Sequence, residues 1–202
     1  MKEFWEENFK DKQTMWGEAP APSALFARDY FVEKDVKNIL IPGIGYGRNA
    51  QPFLEAGMSV TGIEISQTAI DLAKEKLSLD IPIHHGSVSD MPFDDKSYDG
   101  IFCYCVIHLL DEESRIKLIK DCYAQLQPGA TMIFTAISKN ASSYGKGEKI
   151  GDDRFAQHKG AQIFFYDEDS IKREFDQYGL IEFHEVEESS GMKFFNIVCH
   201  KV

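Results

Sequence analysis

The chain has 202 residues, 43% of them hydrophobic, so it can bury one sizeable core and is not globally disordered. Its 22 Lys and Arg residues against 33 Asp and Glu residues give a formal net charge of -11, which opposes binding to a phosphate backbone. We therefore expect a single domain over residues 1–202. Its partner should be a small molecule, not a nucleic acid.

The amino-terminal sequence is charged and aromatic, without the apolar run that a signal peptide needs, and no apolar stretch is long enough to span a bilayer. The four cysteines are scattered, and none forms the C-x-x-C pair that would indicate a disulfide framework or a zinc site. The sequence thus predicts a cytoplasmic protein with reduced thiols, no membrane segment and no bound metal. It gives no indication of the oligomeric state.

From residue 36 the chain alternates between short apolar runs and segments with helical periodicity, separated by glycine and proline. This alternation predicts strands at residues 36–41, 59–65, 82–85, 98–105 and 131–137. It predicts helices at residues 49–56, 67–77 and 112–126, and Ser66 is a candidate N-cap for the second of them. Strands that alternate with helices form right-handed crossovers, so we expect a mostly parallel sheet with helices on both faces.

The last third of the chain has a different pattern. Residues 138–161 are polar and glycine-rich and are predicted to be a long loop, and a helix is predicted over residues 167–178. Two further apolar runs, at residues 180–187 and 193–201, flank a short glycine turn and predict an antiparallel hairpin. The expected fold is therefore a doubly wound α/β sheet, mostly parallel, that ends in an antiparallel hairpin.

Three glycines, Gly43, Gly45 and Gly47, follow the first strand at alternate positions, where a ligand can approach the backbone closely. Glu64 ends the next strand, at the position where an acid can accept hydrogen bonds from both hydroxyls of a ribose. Together they indicate a cofactor that contains a nucleoside. Arg48 stands where a dinucleotide-binding turn requires its third glycine, and this argues against NAD and FAD.

This pattern resembles the class I S-adenosylmethionine-dependent methyltransferases over roughly residues 36–137. The segment G-x-G-x-G-R-N, which starts at Gly43, particularly resembles their tellurite-resistance and thiopurine-methyltransferase-like branch. The resemblance implies a Rossmann-like sheet of seven strands, S-adenosyl-L-methionine as the cofactor, and cofactor contacts from a set of residues along the first four strands. These are Gly43, Ile44, Gly45, Arg48, Asn49, Glu64, Ile65, Ser87, Val88 and Cys103.

Within this set, the resemblance implies that the first turn lies against the methionine part of the cofactor and that Ile65 lies beside the adenine. Ser87 stands where the family usually has an acid that reads the adenine edge. The backbone N-H of Val88 is then the firmer adenine contact, and Asp90 could replace the acid only if its loop shifts. The carbonyl of Cys103 would face the cofactor's ammonium group.

The resemblance also implies how the acceptor side is built. Tyr104 and His108 would face the transferred methyl group and are the candidate catalytic residues, although His108 could equally be a packing histidine. Residues 1–35 would cover the cofactor, with Trp16 either stacked near it or buried against the sheet. Residues 138–161 are expected to contact the substrate through a set of polar side chains. These are Tyr144, Lys146, Arg154 and His158, although Lys146 and Arg154 could equally be ordinary exposed loop charges.

The function expected from these features is methyl transfer from S-adenosylmethionine to a small thiol, hydroxyl, amine or metalloid oxyanion. The cofactor carries an activated leaving group, so the protein needs chiefly to align donor and acceptor and exclude water. A general base is not obligatory for every acceptor. The alternatives are a non-catalytic module that binds the same cofactor and an NAD-dependent oxidoreductase.

Overall fold

The computed structural model describes residues 2–157 and 160–202, which contain six α-helices and ten strands. The helices are α1 (Lys2–Lys12), α2 (Pro22–Glu33), α3 (Gln51–Glu55), α4 (Gln67–Leu77), α5 (Glu112–Gln125) and α6 (Glu168–Phe175). The strands are β1 (Asn38–Pro42), β2 (Ser59–Glu64), β3 (Ile83–His85), β4 (Tyr98–Tyr104), β5 (Leu126–Ile137), β6 (Glu148–Gly151), β7 (Arg154–Gln157), β8 (Ala161–Phe164), β9 (Leu180–Ser189) and β10 (Met192–His200).

The main sheet has seven strands in the order β3-β2-β1-β4-β5-β10-β9. β1 lies between β2 and β4 and is parallel to both, so that Leu40 is paired with Thr61 on one side and Ile101 on the other. β10 runs antiparallel to β5 and β9. The predicted doubly wound, mostly parallel sheet with a terminal antiparallel hairpin is therefore confirmed.

Alternate residues of the central strands pack on opposite faces, as the two-residue repeat of a strand requires. Leu40 and Ile101 belong to a buried cluster that also contains residues of α5 and α6. Ile39 and Phe102 belong to a second cluster, with residues of α2 and α3. Both faces of β1 and β4 are thus covered, and only the strand ends remain open to a ligand.

Several predicted boundaries differ from the observed ones. α4 has the predicted bounds, and Ser66 caps it by accepting a hydrogen bond from the N-H of Ala69 at 3.1 Å. The helix predicted over residues 49–56 is only the five residues of α3. β5 begins at Leu126, directly after α5, where the pattern placed its start at residue 131. Leu126 is already paired with Tyr98 of β4, and such a pairing cannot be read from local sequence.

The prediction of a loop over residues 138–161 is wrong for its second half. β6 and β7 lie there and form a small antiparallel sheet with β8. β7 alternates partly exposed with buried residues, and Phe155 packs in a cluster with Phe165 and Ile137. This apolar contact stabilises a segment whose glycines and charges resemble those of a loop.

Residues 1–35 were predicted to be a covering segment, and their described part contains α1 and α2.

No helix among the described residues has both the length and the apolar character needed to cross a bilayer. The same residues contain no group of three or more His, Cys, Asp or Glu side chains placed to hold a metal ion.

Candidate functional site

The glycine turn after β1 lies at the carboxyl edge of the main sheet. The N-H groups of Gly43 and Ile44 both donate to the carbonyl of Ile63, at 2.8 and 3.0 Å, which ties the turn to the end of β2. Gly43 has a φ of 70°, and a Cβ there would lie 2.2 Å from the side chain of Val106. Only glycine fits this position, because the turn after β1 touches the loop after β4 here.

Glu64 lies beside this turn with 5% of its surface exposed. One carboxylate oxygen accepts the N-H of Gly45 at 2.8 Å, and the other accepts the N-H of Ser66 at 2.9 Å. Burial raises the pKa of Glu64, while these backbone N-H groups act in the opposite direction. A carboxylate can accept about four hydrogen bonds, so each oxygen keeps capacity for a further donor such as a sugar hydroxyl.

Four aromatic side chains form an aromatic cover next to the glycine turn: Trp5, Phe9, Trp16 and Tyr46. Phe9 is 3% exposed, and its ring is the nearest group to Gly45, at 3.8 Å from where a Cβ would lie. Trp16 stacks on Tyr46 with ring centroids 6.3 Å apart, and it remains 50% exposed. Trp16 is therefore not buried against the sheet, which was one of the two alternatives considered for it.

Arg48 and Asn49 hold the segment between α1 and α2. Arg48 donates from Nη1 to the carbonyls of Trp16 and Ala19, at 3.3 and 2.9 Å. The side-chain oxygen of Asn49 accepts the N-H of Ala21 at 2.9 Å. In the structure these two side chains thus fasten the covering segment. Their direct contact with the cofactor stays a prediction.

The predicted adenine-binding residues lie next to the ends of β2 and β3. Val88 is buried, and Ser87 caps the short 3-10 helix Val88–Asp90 by accepting the N-H of Ser89 at 3.2 Å. The carbonyl of Ile65 is hydrogen-bonded to the ring of His85 at 3.1 Å. Asp90 is exposed, and whether it or Ser87 contacts the adenine stays a prediction.

Cys103 and Tyr104 end β4 beside the same edge. Cys103 is fully buried and packs in the cluster with α5 and α6, and the contact of its carbonyl with the cofactor stays a prediction. The hydroxyl of Tyr104 donates to Glu188 at 3.3 Å, and the guanidinium of Arg48 lies 5.8 Å from the Tyr104 ring centre. Burial raises the pKa of Tyr104, so its hydroxyl is protonated at neutral pH.

His108 lies in the 3-10 helix Ile107–Leu109 and is 5% exposed. Its Nδ1 accepts the N-H of Ile137 at 3.2 Å, and burial lowers its pKa to about 3. The ring is therefore neutral at pH 7 with its proton on Nε2, which can donate a hydrogen bond but cannot accept a proton. This geometry favours the packing interpretation of His108 over that of a general base.

The predicted substrate-binding side chains of residues 138–161 have different surroundings in the structure. Tyr144 donates to Asp153 at 2.6 Å, and Lys146 is exposed. Arg154 donates to the carbonyl of Leu110 at 2.8 Å, so it contacts the loop after β4. His158 lies outside the described residues.

Three residues of the site were missed by the sequence analysis. Glu6 of α1 accepts hydrogen bonds from Ser66 and Thr68 at the start of α4. Phe9 is the buried centre of the aromatic cover. Glu188 accepts hydrogen bonds from Tyr104 and from Ser23 at the start of α2. Acid and aromatic residues are common in the charged amino-terminal sequence. Nothing local distinguished these positions, because their partners lie far along the chain.

The arrangement fits S-adenosylmethionine. Glu64 is a buried carboxylate with spare acceptor capacity, the turn beside it admits only glycine at Gly43, and aromatic side chains cover the turn. A dinucleotide-binding turn requires a glycine at position 48. Arg48 occupies this position, and its side chain donates a hydrogen bond to the covering segment at the carbonyl of Ala19.

Comparison with known proteins agrees with this site. Residues 39–129 match the family model described as a methyltransferase domain. The chain is 23% identical over 191 residues to the tRNA N(3)-methylcytidine methyltransferase of Drosophila melanogaster, covering 86% of this chain and 57% of that protein. It is 29% identical over 111 residues to the ubiquinone biosynthesis O-methyltransferase of Coxiella burnetii, covering 54% and 47%. The chain thus spans about half the length of these curated relatives.

Among solved structures, the chain is similar to the 1,6-didemethyltoxoflavin-N1-methyltransferase of Burkholderia thailandensis, whose structure contains 1,6-didemethyltoxoflavin and S-adenosylhomocysteine. The TM-score is 0.78 with 16% identity, and the match covers 100% of this chain and 87% of the other. This likeness shows the fold, and the sequence match runs from β1 into the start of β5. Residues 39–129 therefore match a methyltransferase domain, and the whole chain shares its fold with a methyltransferase whose structure holds S-adenosylhomocysteine.

Proposed function

We propose that the chain transfers a methyl group from S-adenosylmethionine to a small-molecule acceptor. The observation that carries this proposal is the position of Glu64, which is buried at the tip of β2 and hydrogen-bonded to the glycine turn through Gly45. A buried carboxylate is costly unless donors satisfy it, and a ribose diol would supply two more of them.

The residues that would hold the cofactor lie along one edge of the sheet. Glu64 would accept hydrogen bonds from the ribose, Val88 and Ile65 would border the adenine, and the turn at Gly43 together with the backbone of Cys103 would face the methionine end. The bound cofactor supplies a methyl group activated on a positively charged sulfur. The aromatic cover would exclude water from this crevice.

The chemical step then depends mainly on alignment. Holding two reactants in a reactive geometry can lower a barrier by about 7 to 11 kcal/mol, so a single displacement at carbon needs no nucleophilic residue. Tyr104 and His108 remain the candidates for contact with the acceptor. Neither has a free basic atom in the structure, because the Tyr104 hydroxyl is protonated and His108 Nδ1 accepts the Ile137 N-H.

A small acceptor is favoured over RNA by charge. The formal net charge of -11 repels a phosphate backbone, and such repulsion acts on every nucleotide that the protein would contact. The relative from Drosophila melanogaster methylates tRNA according to its name, but it is a longer protein, of which this chain matches 57%. Its RNA substrate is therefore not proposed for this chain.

Two finer assignments accompany this proposal. The G-x-G-x-G-R-N segment supports membership of the tellurite-resistance and thiopurine-methyltransferase-like branch. The four cysteines are unpaired in the described structure, which supports a location in the reducing cytoplasm. Transfer of a labelled methyl group to acceptors of that branch tests the first assignment. Fluorescence imaging of a tagged chain in cells tests the second.

Thermal unfolding with S-adenosylmethionine, S-adenosylhomocysteine and NAD in parallel tests the function. A ligand at a hundred times its Kd stabilises by about 2.7 kcal/mol, which raises the Tm of a domain of this size by roughly 5 to 10 °C. We expect this rise with the first two ligands and none with NAD. A rise in Tm with NAD alone would refute the proposal. Consumption of S-adenosylmethionine in the presence of a library of acceptors would identify an enzyme, whereas a non-catalytic module would bind the cofactor without consuming it.

A further inference from the structure

A cavity of about 260 Å³ lies between α1, the 3-10 helix after β4 and the start of β8. The described part of its wall carries no charged side chain and includes two aromatic rings and a leucine. The lining residues are Phe4, Trp5, Leu109, Gly160, Ala161 and Gln162. Such a wall favours an uncharged ligand with a flat apolar body, because aromatic rings prefer to pack against apolar faces and ring edges.

The position of the cavity connects it to the proposed reaction. Leu109 follows the carboxyl end of β4, where Tyr104 and Cys103 border the cofactor crevice. The opposite wall belongs to α1, which is fastened beside Glu64 because Glu6 accepts a hydrogen bond from Ser66 at 2.7 Å. The cavity thus lies between the same two elements that border the crevice.

One polar group lies at the rim. Arg154 donates from Nη2 to the side-chain oxygen of Gln162 at 3.2 Å and from Nη1 to the carbonyl of Leu110 at 2.8 Å. The oxygen of Gln162 is therefore engaged, which leaves its NH₂ group as the part available to a ligand. Arg154 thus joins Leu110, which follows the 3-10 helix, to β8; it is a positioning residue and is not part of the described wall of the cavity.

We propose that this cavity binds the methyl acceptor, and that the acceptor is an uncharged mono- or bicyclic heteroaromatic compound whose ring nitrogen or carbonyl accepts a hydrogen bond from Gln162. The proposal rests on the proposed methyl transfer and adds the acceptor class. The volume is slightly below the range of about 300 to 1,000 Å³ that is usual for ligand pockets, which suits one or two rings. The acceptor's lone pair forms the new bond to the methyl carbon, the carbon-sulfur electron pair goes to sulfur, and a proton on the methylated atom leaves to water.

Binding of two matched probes, quinoline and naphthalene, tests this proposal by calorimetry and ligand-observed NMR on the full chain loaded with S-adenosylhomocysteine. The probes differ only by the ring nitrogen. Leu109→Trp should fill the cavity and weaken both probes at least tenfold, while the affinity for the cofactor product changes less than twofold. Leu25→Trp, on the exposed face of α2, is the matched control and should change neither. Gln162→Leu should weaken quinoline about fivefold and leave naphthalene unchanged.

Each contrary result has a distinct meaning. Failure of both probes to bind the wild-type chain, or equal binding to Leu109→Trp, would overturn the cavity assignment with cofactor binding intact. Equal loss of the cofactor product in Leu109→Trp would assign the cavity to the cofactor instead. Tighter binding of a whole tRNA than of quinoline, lost in Leu109→Trp, would replace the small molecule by a base in RNA. Absence of any cofactor binding by the wild type would instead refute the proposed function.

Discussion

The hydroxyl of Thr68 donates a hydrogen bond to Glu6 at 2.7 Å, although the two residues are 62 positions apart. Glu6 also accepts from the Ser66 hydroxyl at 2.7 Å and from the Thr68 N-H at 3.3 Å. A carboxylate thus lies at the positive end of α4, where backbone N-H groups and the helix dipole favour it. This contact fixes α1, and with it the aromatic cover, next to Glu64.

The docking of α1 should depend on pH in acid. Hydrogen bonds from Ser66 and Thr68 lower the pKa of Glu6 to about 2. Because the folded pKa is lowered, the stabilisation is complete above about pH 4.5 and is lost as the pH falls towards 2. Urea unfolding should find Glu6→Gln less stable than the wild type by about 1 kcal/mol at pH 7, with a smaller difference at pH 3. Glu7→Gln, on the exposed side of α1, should match the wild type at both pH values.

Glu64→Gln should weaken cofactor binding. The substitution keeps the shape and one acceptor oxygen but removes the charge that strengthens the hydrogen bonds to a diol. The expected loss is about 1.5 to 3 kcal/mol, a ten- to hundredfold higher Kd for S-adenosylmethionine by calorimetry. Glu55→Gln, on the exposed end of α3, should retain the wild-type affinity. An unchanged Kd for Glu64→Gln would refute the assignment of this carboxylate to the ribose.

Arg48→Ala should loosen the segment between α1 and α2, because it removes the donor to the carbonyls of Trp16 and Ala19. A loss of about 1 to 2 kcal/mol in the free energy that holds this segment against the domain corresponds to a factor of roughly 5 to 30 in the fraction of molecules with the segment detached. Cleavage by chymotrypsin near Trp16 should accelerate by that factor. Arg173→Ala, at an exposed position of α6, is the control. Equal cleavage rates in both variants would show that Arg48 does not hold this segment.

His108 should affect stability in acid more than catalysis. Its pKa of about 3 lies below the ordinary value of 6.5, so the unfolded chain takes up a proton that the folded chain does not. The wild type should therefore lose about 1.4 kcal/mol of stability per pH unit between about pH 6 and 4, relative to His108→Gln. The pH profile of kcat should be the same in both chains. A kcat that loses an inflection near neutral pH in His108→Gln would instead identify His108 as a base.

The parts that local sequence could predict are those with short-range causes. The alternation of strands and helices follows from hydrophobic periodicity, and Glu64 could be placed because a residue that ends a parallel strand lies at the ligand edge. The cap at Ser66 depends on a contact three positions away. Each of these features is determined within one element or one crossover.

The parts that could not be predicted depend on distant contacts. Glu6 is hydrogen-bonded to Thr68, 62 positions away, and Tyr104 to Glu188, 84 positions away. Contacts at such separations produce no repeat or recognisable spacing in the sequence. The strands β6 and β7 pair with each other and with β8, and their glycines and charges masked that pairing. The burial of His108 likewise depends on Ile137 of β5, to which its ring is hydrogen-bonded.

The contact between Ser23 and Glu188 spans 165 positions, with the N-H of Ser23 donating to the carboxylate at 3.0 Å. A ribosome releases the amino-terminal part of a chain first, and domains generally fold as units during synthesis. Until the final hairpin has emerged, the start of α2 and the Tyr104 hydroxyl therefore lack their shared partner Glu188. A recombinant fragment limited to residues 39–129 would lack both α2 and Glu188, so any trial of minimal catalytic fragments must retain both flanks.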